Sequence, residues 1–129
     1  MIIGGRRVAD DIIRDFTVGG NGADYINHLV VTSEKELYIG GSSGSGISKD
    51  KSEPAYGLMN GWICKYNPSG KKLWDKTIGG TGLESLAKIL IGPDKSITVF
   101  LQSTSGKSGN LTAETNGETE IVMVRMEDQ

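Results

Sequence analysis

The chain has 129 residues, 14 basic and 16 acidic side chains and a formal net charge of −2. That length fits one ordinary domain. The near-neutral charge lacks the basic surplus of a nucleic-acid binder, and no apolar run is long enough for a transmembrane helix. A single cysteine, Cys64, and a single histidine, His28, exclude an internal disulfide, a multi-cysteine zinc site and a His-rich metal centre. No cofactor is expected.

Short segments rich in β-branched and aromatic residues read as strands. In chain order they are Ile12 to Val18, Tyr25 to Thr32, Glu36 to Gly41 and Gly61 to Asn67, then Lys72 to Ile78, Ser85 to Ile91, Ser96 to Gln102 and Ile121 to Glu127. Leu29-Val30-Val31 and Ile89-Leu90-Ile91 are continuous apolar runs, the pattern of a strand buried on both faces. Glycine-rich turns precede the second strand of each series, Gly19-Gly20-Asn21-Gly22 and Gly79-Gly80-Thr81-Gly82. Ser33-Glu34-Lys35 and Pro93-Asp94-Lys95 read as hairpin turns, and Asn67-Pro68-Ser69-Gly70 is a third turn signal. Two long polar connections, Ser42 to Asn60 and Ser103 to Thr119, carry no apolar periodicity. Gly41 to Gly46 within the first reads as flexible linker. No helical stripe interrupts this pattern, so the chain is all-β.

The order of elements repeats because the sequence does. Shifted by 60 residues, positions 15–69 lie over 75–129 without a gap, and 11 of the 55 pairs are identical. The identities include Asp15/Asp75, Thr17/Thr77, Gly19/Gly79, Gly20/Gly80, Lys35/Lys95, Ser43/Ser103, Ser45/Ser105 and Ser48/Ser108. Apolar positions exchange conservatively, as at Ile26/Leu86, Leu29/Ile89 and Ile39/Val99. The reading is one two-repeat unit over 1–129, with repeat 1 at about 12–71 and repeat 2 at about 72–129. Four short antiparallel strands per repeat is the plan of a β-propeller blade. The same register places Ile2 and Ile3 over Trp62 and Ile63, so residues 2–8 read as a surplus fourth strand, although Gly4-Gly5-Arg6-Arg7 weakens that reading.

Gly61-Trp62-Ile63-Cys64-Lys65-Tyr66-Asn67-Pro68-Ser69-Gly70, followed by Leu73-Trp74 and then Gly79-Gly80-Thr81-Gly82, resembles the repeat of bacterial β-propeller proteins. The resemblance spans roughly residues 12–127. Asn60-Gly61 stands where that family has an acidic-aromatic pair, Val122 replaces the tryptophan of the fourth strand, and Phe100-Leu101 replaces the Gly40-Gly41 pair. The resemblance implies a secreted or cell-surface protein, although no signal-peptide pattern opens this sequence. Two repeats cannot bury their own flanks. The expectation is therefore a homo-oligomeric ring, three chains giving six blades or four giving eight. A fragment of a larger propeller is the alternative.

Chemistry-bearing motifs are sparse. Gly19 to Asn27 fits the calcium β-roll nonapeptide, which needs tandem copies; the simpler reading has Asp24 capping backbone amides. Gly106-Lys107-Ser108 lacks the upstream glycine and the following helix of a phosphate-binding loop. Cys64 reads as buried and inert, His28 as structural, and Trp62, Trp74 and Tyr66 as packing between repeats. Tyr56, in the long loop, is a candidate for stacking on a sugar. Asp24 and Glu84 are weaker ligand candidates, and with Asp94 they are the carboxylates available to a channel enzyme. The functional expectation is a non-enzymatic, lectin-like binding or scaffold module offering its long loops to a glycan or protein, without nucleic acid, metal or membrane insertion.

Overall fold

The computed structural model describes residues 2, 3, 6, 7, 12, 14–114 and 118–129, and these are all-β. A hairpin of β1 (Ile2–Ile3) and β2 (Arg6–Arg7) precedes β3 (Asp24–Val31), β4 (Leu37–Ser43), β5 (Asn60–Tyr66), β6 (Lys72–Ile78), β7 (Glu84–Ile91), β8 (Ile97–Ser103) and β9 (Glu120–Met126). Strands β3-β4-β5-β6 form one antiparallel sheet in sequential order, sheet 1, and β7-β8-β9 form sheet 2. No described helix is long and apolar enough to cross a membrane.

Three expectations are corrected here. The sheets are offset from the repeat boundaries by one strand: Lys72–Ile78, expected to open repeat 2, pairs with β5 and closes sheet 1. Sheet 2 therefore has three strands rather than four. The counterpart of β6, Ile12 to Val18, forms no strand at residues 12 and 14–18, which pair with no strand among the described residues; Ile13 lies outside the described residues. Residues 2–8 do not form one surplus strand either, since Ile2–Ile3 folds back on Arg6–Arg7; Gly4, Gly5 and Val8 lie outside the described residues.

The two sheets pack face to face. Tyr38, Ile63 and Ile78 of sheet 1 meet Leu86, Ile89, Ile97, Val99 and Leu101 of sheet 2 in the main core. Close approach is possible because sheet 1 presents glycines there. A Cβ on Gly40 would lie 2.8 Å from the Leu86 and Ile89 methyls, and one on Gly61 would lie 2.6 Å from Leu101 Cδ2. The sheet 2 counterparts of these glycines, Phe100 and Ile121, lie on strands whose outer face meets no third sheet among the described residues. The replacement of Gly40 and Gly61 by Phe100 and Ile121 in repeat 2 therefore follows from packing.

The contact is head-to-tail, because the face of sheet 2 used in it corresponds to the unused face of sheet 1. Leu86 is 0% and Ile89 1% exposed, whereas their counterparts Ile26 and Leu29 are 62% and 51% exposed. Likewise Ile63 is 0% exposed and its counterpart Met123 65%. The Leu29-Val30-Val31 run is therefore not buried on both faces: Val30 packs on the core while Leu29 and Val31 are exposed. Among the described residues sheet 1 has a neighbouring sheet on one side only. On its other side Trp62, Cys64 and Tyr66 form a smaller cluster with Val18, Leu37 and Ile39. Trp74 joins the inter-sheet core, as expected, but Trp62 and Tyr66 sit on this opposite face.

A polar clasp closes the outer end of the inter-sheet seam. Asp128, just past β9, accepts from Lys65 Nζ at 2.5 Å and Trp74 Nε1 at 2.9 Å, both on sheet 1. Trp74 also meets Tyr38 edge-on at 6.2 Å. Ile63→Ala, which removes a fully buried side chain from this seam, is expected to cost about 2–5 kcal/mol in urea unfolding followed by far-UV circular dichroism.

Candidate functional site

The glycine-rich turns and the long connections form one repeated structure. In the first repeat Asp24 Oδ2 accepts from the Gly20 N–H at 2.9 Å, and Oδ1 accepts from Ser43 Oγ at 2.6 Å and Ser45 Oγ at 3.0 Å. In the second, Glu84 accepts from the Gly80 N–H at 3.0 Å and from Ser103 Oγ at 2.9 Å, and also from Ser105 Oγ. The remaining turn amides are shared alike: Asn21 N–H with Ser48 Oγ and Thr81 N–H with Ser108 Oγ, Gly22 N–H with Ser45 Oγ and Gly82 N–H with Ser105 Oγ. Gly19 N–H donates to Asp50 and Gly79 N–H to Asn110.

Asp24 thus caps a backbone amide, in agreement with the simpler sequence reading. Gly41 to Gly46 is not flexible linker at its serines, since Ser42 and Ser43 belong to β4 and Ser45 is buried in this network. Gly106-Lys107-Ser108 is the matching bend, with Ser108 Oγ bonded to Gly106 O and to the turn.

Between these two turns lies an open groove of about 810 Å³, lined by Asp24, Tyr25, Ile26 and Asn27 of β3, Leu83 to Ser85 at the start of β7, and Ser42, Met59, Gln102 to Thr104 and Thr119. This size suits a small ligand or one end of a larger one. Both carboxylates border it, but their oxygens are engaged by the turns. Tyr25 is exposed beside it. Asn27 Nδ2 crosses from sheet 1 to donate to Ser85 Oγ at 3.0 Å and Leu86 O at 2.8 Å.

The other candidates fall elsewhere. Asp94 sits in the hairpin at the opposite end of β7, where its carboxylate accepts from Ser96 N–H and Oγ. Three carboxylates converging on a channel site are therefore not seen: Asp24 and Glu84 share a groove and Asp94 does not. Tyr56 is half-buried in the long loop, its N–H bonded to Asn60 Oδ1 at 2.7 Å. His28 lies in β3 beside a register shift. Cys64 is buried, and burial pushes its thiol pKa well above the usual range. No cluster of metal-ligating side chains occurs among the described residues.

Two buried polar groups escaped the sequence reading. Lys51 is fully buried, its Nζ donating to Thr77 Oγ1 at 2.7 Å and Glu53 O at 2.8 Å, and burial lowers its pKa. Asp75 accepts from Trp62 Nε1 at 2.9 Å, the Ser52 N–H at 2.9 Å and Lys72 Nζ at 2.9 Å. The only sequence signal was the Asp15/Asp75 identity. At Lys51 there was none, since its counterpart is the core residue Leu111.

Two outcomes follow. Glu84→Ala removes the shared acceptor of the Gly80 N–H, Asn60 Nδ2, Ser103 Oγ and Ser105 Oγ, and at about 1–3 kcal/mol for a buried donor so stranded it should lower unfolding free energy by roughly 3 kcal/mol in urea titration. Burial alone would raise the Asp75 carboxyl pKa, but the bonds from Ser52, Trp62 and Lys72 outweigh it and the pKa is lowered. Its contribution is therefore full above the unfolded value of about 3.9 and is lost as pH falls through the lower folded value. Thermal melts should show the gap between wild type and Asp75→Asn widest above about pH 5 and narrowing below about pH 4.

No family model matches the sequence, and no curated protein is significantly similar to it.

Proposed function

We infer that the chain is a non-enzymatic binding and scaffold module: two blades of a β-propeller that copies of the chain complete into a ring, with the long loops and the groove between β3 and β7 offered to a glycan or protein ligand. One observation carries this reading. Sheet 1 and sheet 2 meet head-to-tail, and each leaves exposed, at Ile26 and Leu29 in one and at Met123 in the other, apolar positions whose counterparts are buried. A contact whose two sides differ can be repeated from copy to copy and closes when the rotation allows.

The small-to-large pattern supports it. Within the chain Gly61 receives Leu101. At the copy-to-copy contact their counterparts are Ile121 and Gly41, so a large residue again meets a glycine, one that the neighbouring strand also requires because a Cβ there would lie 1.7 Å from the Tyr25 carbonyl oxygen. Gly41 lies in a shallow groove of about 270 Å³ with Val18, Ile26, Ile39, Trp62 and Cys64, on the free face of sheet 1.

The ligand reading rests on the groove at the long-loop end. Exposed Tyr25 supplies an aromatic ring, and Gln102, Ser85 and Thr104 supply hydrogen-bonding groups. Repeated around a ring, such sites would raise weak affinities by multivalency.

Light scattering is expected to give a solution mass of three or four chains. Ile121→Arg should reduce that to one chain with unchanged circular dichroism. A glycan array and a pull-down, each compared with Tyr25→Ala, test the ligand. A single-chain mass at every concentration overturns the ring, and blank results in both binding assays overturn the binding role.

A further inference from the structure

We propose that residues 14–18 of one copy add to the free edge of β9 in a second copy, supplying the fourth strand that sheet 2 lacks. The proposal rests on the head-to-tail association inferred above and specifies what each copy contributes to it.

Sheet 1 ends in β6, whereas sheet 2 ends at β9 with no strand beyond it among the described residues. A free edge of this kind is a template for strand addition. The segment that the repeat assigns to this place is 14–18, because it precedes residues 74–78 of β6 by 60 positions and shares with them Asp15/Asp75, Thr17/Thr77 and the Val18/Ile78 exchange.

Its present position is the second argument. Ile78 packs in the core that contains Ile97 and Val99. Val18 packs with Leu37 and Ile39, the counterparts of those two residues, against Trp62, Cys64 and Tyr66. Trp74 donates to Asp128 just past β9, and its counterpart Arg14 donates to the carbonyl of Ser69 just past β5. Residues 14–18 therefore lie against sheet 1 as β6 lies against sheet 2. What they lack is the strand that β6 pairs with.

The β5–β6 register supplies the pairing. Trp62 opposes Thr77, Ile63 opposes Lys76 and Cys64 opposes Asp75. Moved by one repeat, Val122 opposes Thr17, Met123 opposes Phe16 and Val124 opposes Asp15. Phe16 and Met123, both largely exposed in the single chain, would cover each other.

The donated strand should hold less firmly than β6. Of the three donors to Asp75, the Ser52 N–H has a counterpart at Thr112, but Trp62 and Lys72 are replaced by Val122 and Ile12. The register also sets Arg14 opposite Arg125. Assembly is therefore expected to be reversible and concentration-dependent.

Disulfide trapping in the full chain tests this. Phe16→Cys with Met123→Cys, mildly oxidised, should give intermolecularly linked dimers and larger species on a non-reducing gel. Phe16→Cys with Arg125→Cys, two residues out of register, should give several-fold less, because a disulfide needs Cα atoms within about 7 Å. Thr77 N–H points away from β5 to Glu53, so alternation turns the Lys76 N–H, and by the repeat that of Phe16, toward the pairing strand. Phe16→Pro should thus weaken association at least tenfold beyond Phe16→Ala in light scattering, with circular dichroism unchanged. Oligomers that form without the 16–123 link, or equal effects of proline and alanine, overturn strand donation while leaving head-to-tail packing intact. A single-chain mass at all concentrations overturns both.

Discussion

The carboxylate at the start of each sheet's first strand is the constraint on which the rest depends. A turn built from Gly-Gly-x-Gly exposes several backbone amides in succession, and their donors must be satisfied where the turn meets the sheets. Asp24 and Glu84 do this while also binding the serines that end β4 and β8. One side chain thereby fixes three things: the path of the chain between sheets, the end of the second strand and the start of the long connection. Small residues are needed around it. A Cβ on Gly79 would lie 2.3 Å from the Glu84 carboxylate, and one on Gly20 would lie 2.6 Å from the Ser45 side chain. Most of the identities between the repeats fall in this network.

The same constraint explains what the repeats are free to change. Strand faces vary with what covers them: glycine at positions 40 and 61 where sheet 2 presses in, Phe100 and Ile121 where no third sheet does among the described residues. Lys51 and Leu111 occupy matching places beneath the two loops, one satisfied by Thr77 and Glu53, the other by apolar packing. The slot thus accepts a lysine only where two oxygens wait for its amine, since an unpaired buried ammonium is costly.

Seven of the eight expected strands, all but Ile12 to Val18, were legible in the sequence because alternation and turn chemistry are local signals. Leu37 to Ser43, for instance, extends only two residues past the expected Gly41. The offset between repeats and sheets was not legible. Whether Lys72–Ile78 joins the strand before it or the strand after it is decided by hydrogen bonds across the ladder, and periodicity carries no information about the partner. The Gly/Ser-rich stretch was misread for a similar reason: Ser43 and Ser45 look like linker until Asp24, about twenty residues away, is placed beside them. Of the candidate site residues, Asp24 and Glu84 border the groove and Tyr56 does not, while Tyr25 and Gln102 gave no signal, because exposed side chains on a strand look alike in sequence.

The two free flanks have unequal consequences. An exposed apolar face loses hydration free energy gradually, in proportion to area, and single exposed leucines are ordinary on protein surfaces. An open strand edge differs, because its unpaired N–H and C=O groups are directional and any complementary strand can satisfy them. Sheet 2 carries both liabilities together, with Ile121 and Met123 exposed on the edge strand itself. Sheet 1 is better covered, since on the outer edge of its last strand, β6, the Thr77 N–H donates to Glu53, and residues 14–18 already lie over part of the exposed face. An arrangement that buried the faces but left β9 open would still present an adhesive edge at every copy. One that pairs β9 with a segment held in the place of a β6 strand satisfies the β9 groups while covering Met123, and the repeat puts that segment at the required distance from β3.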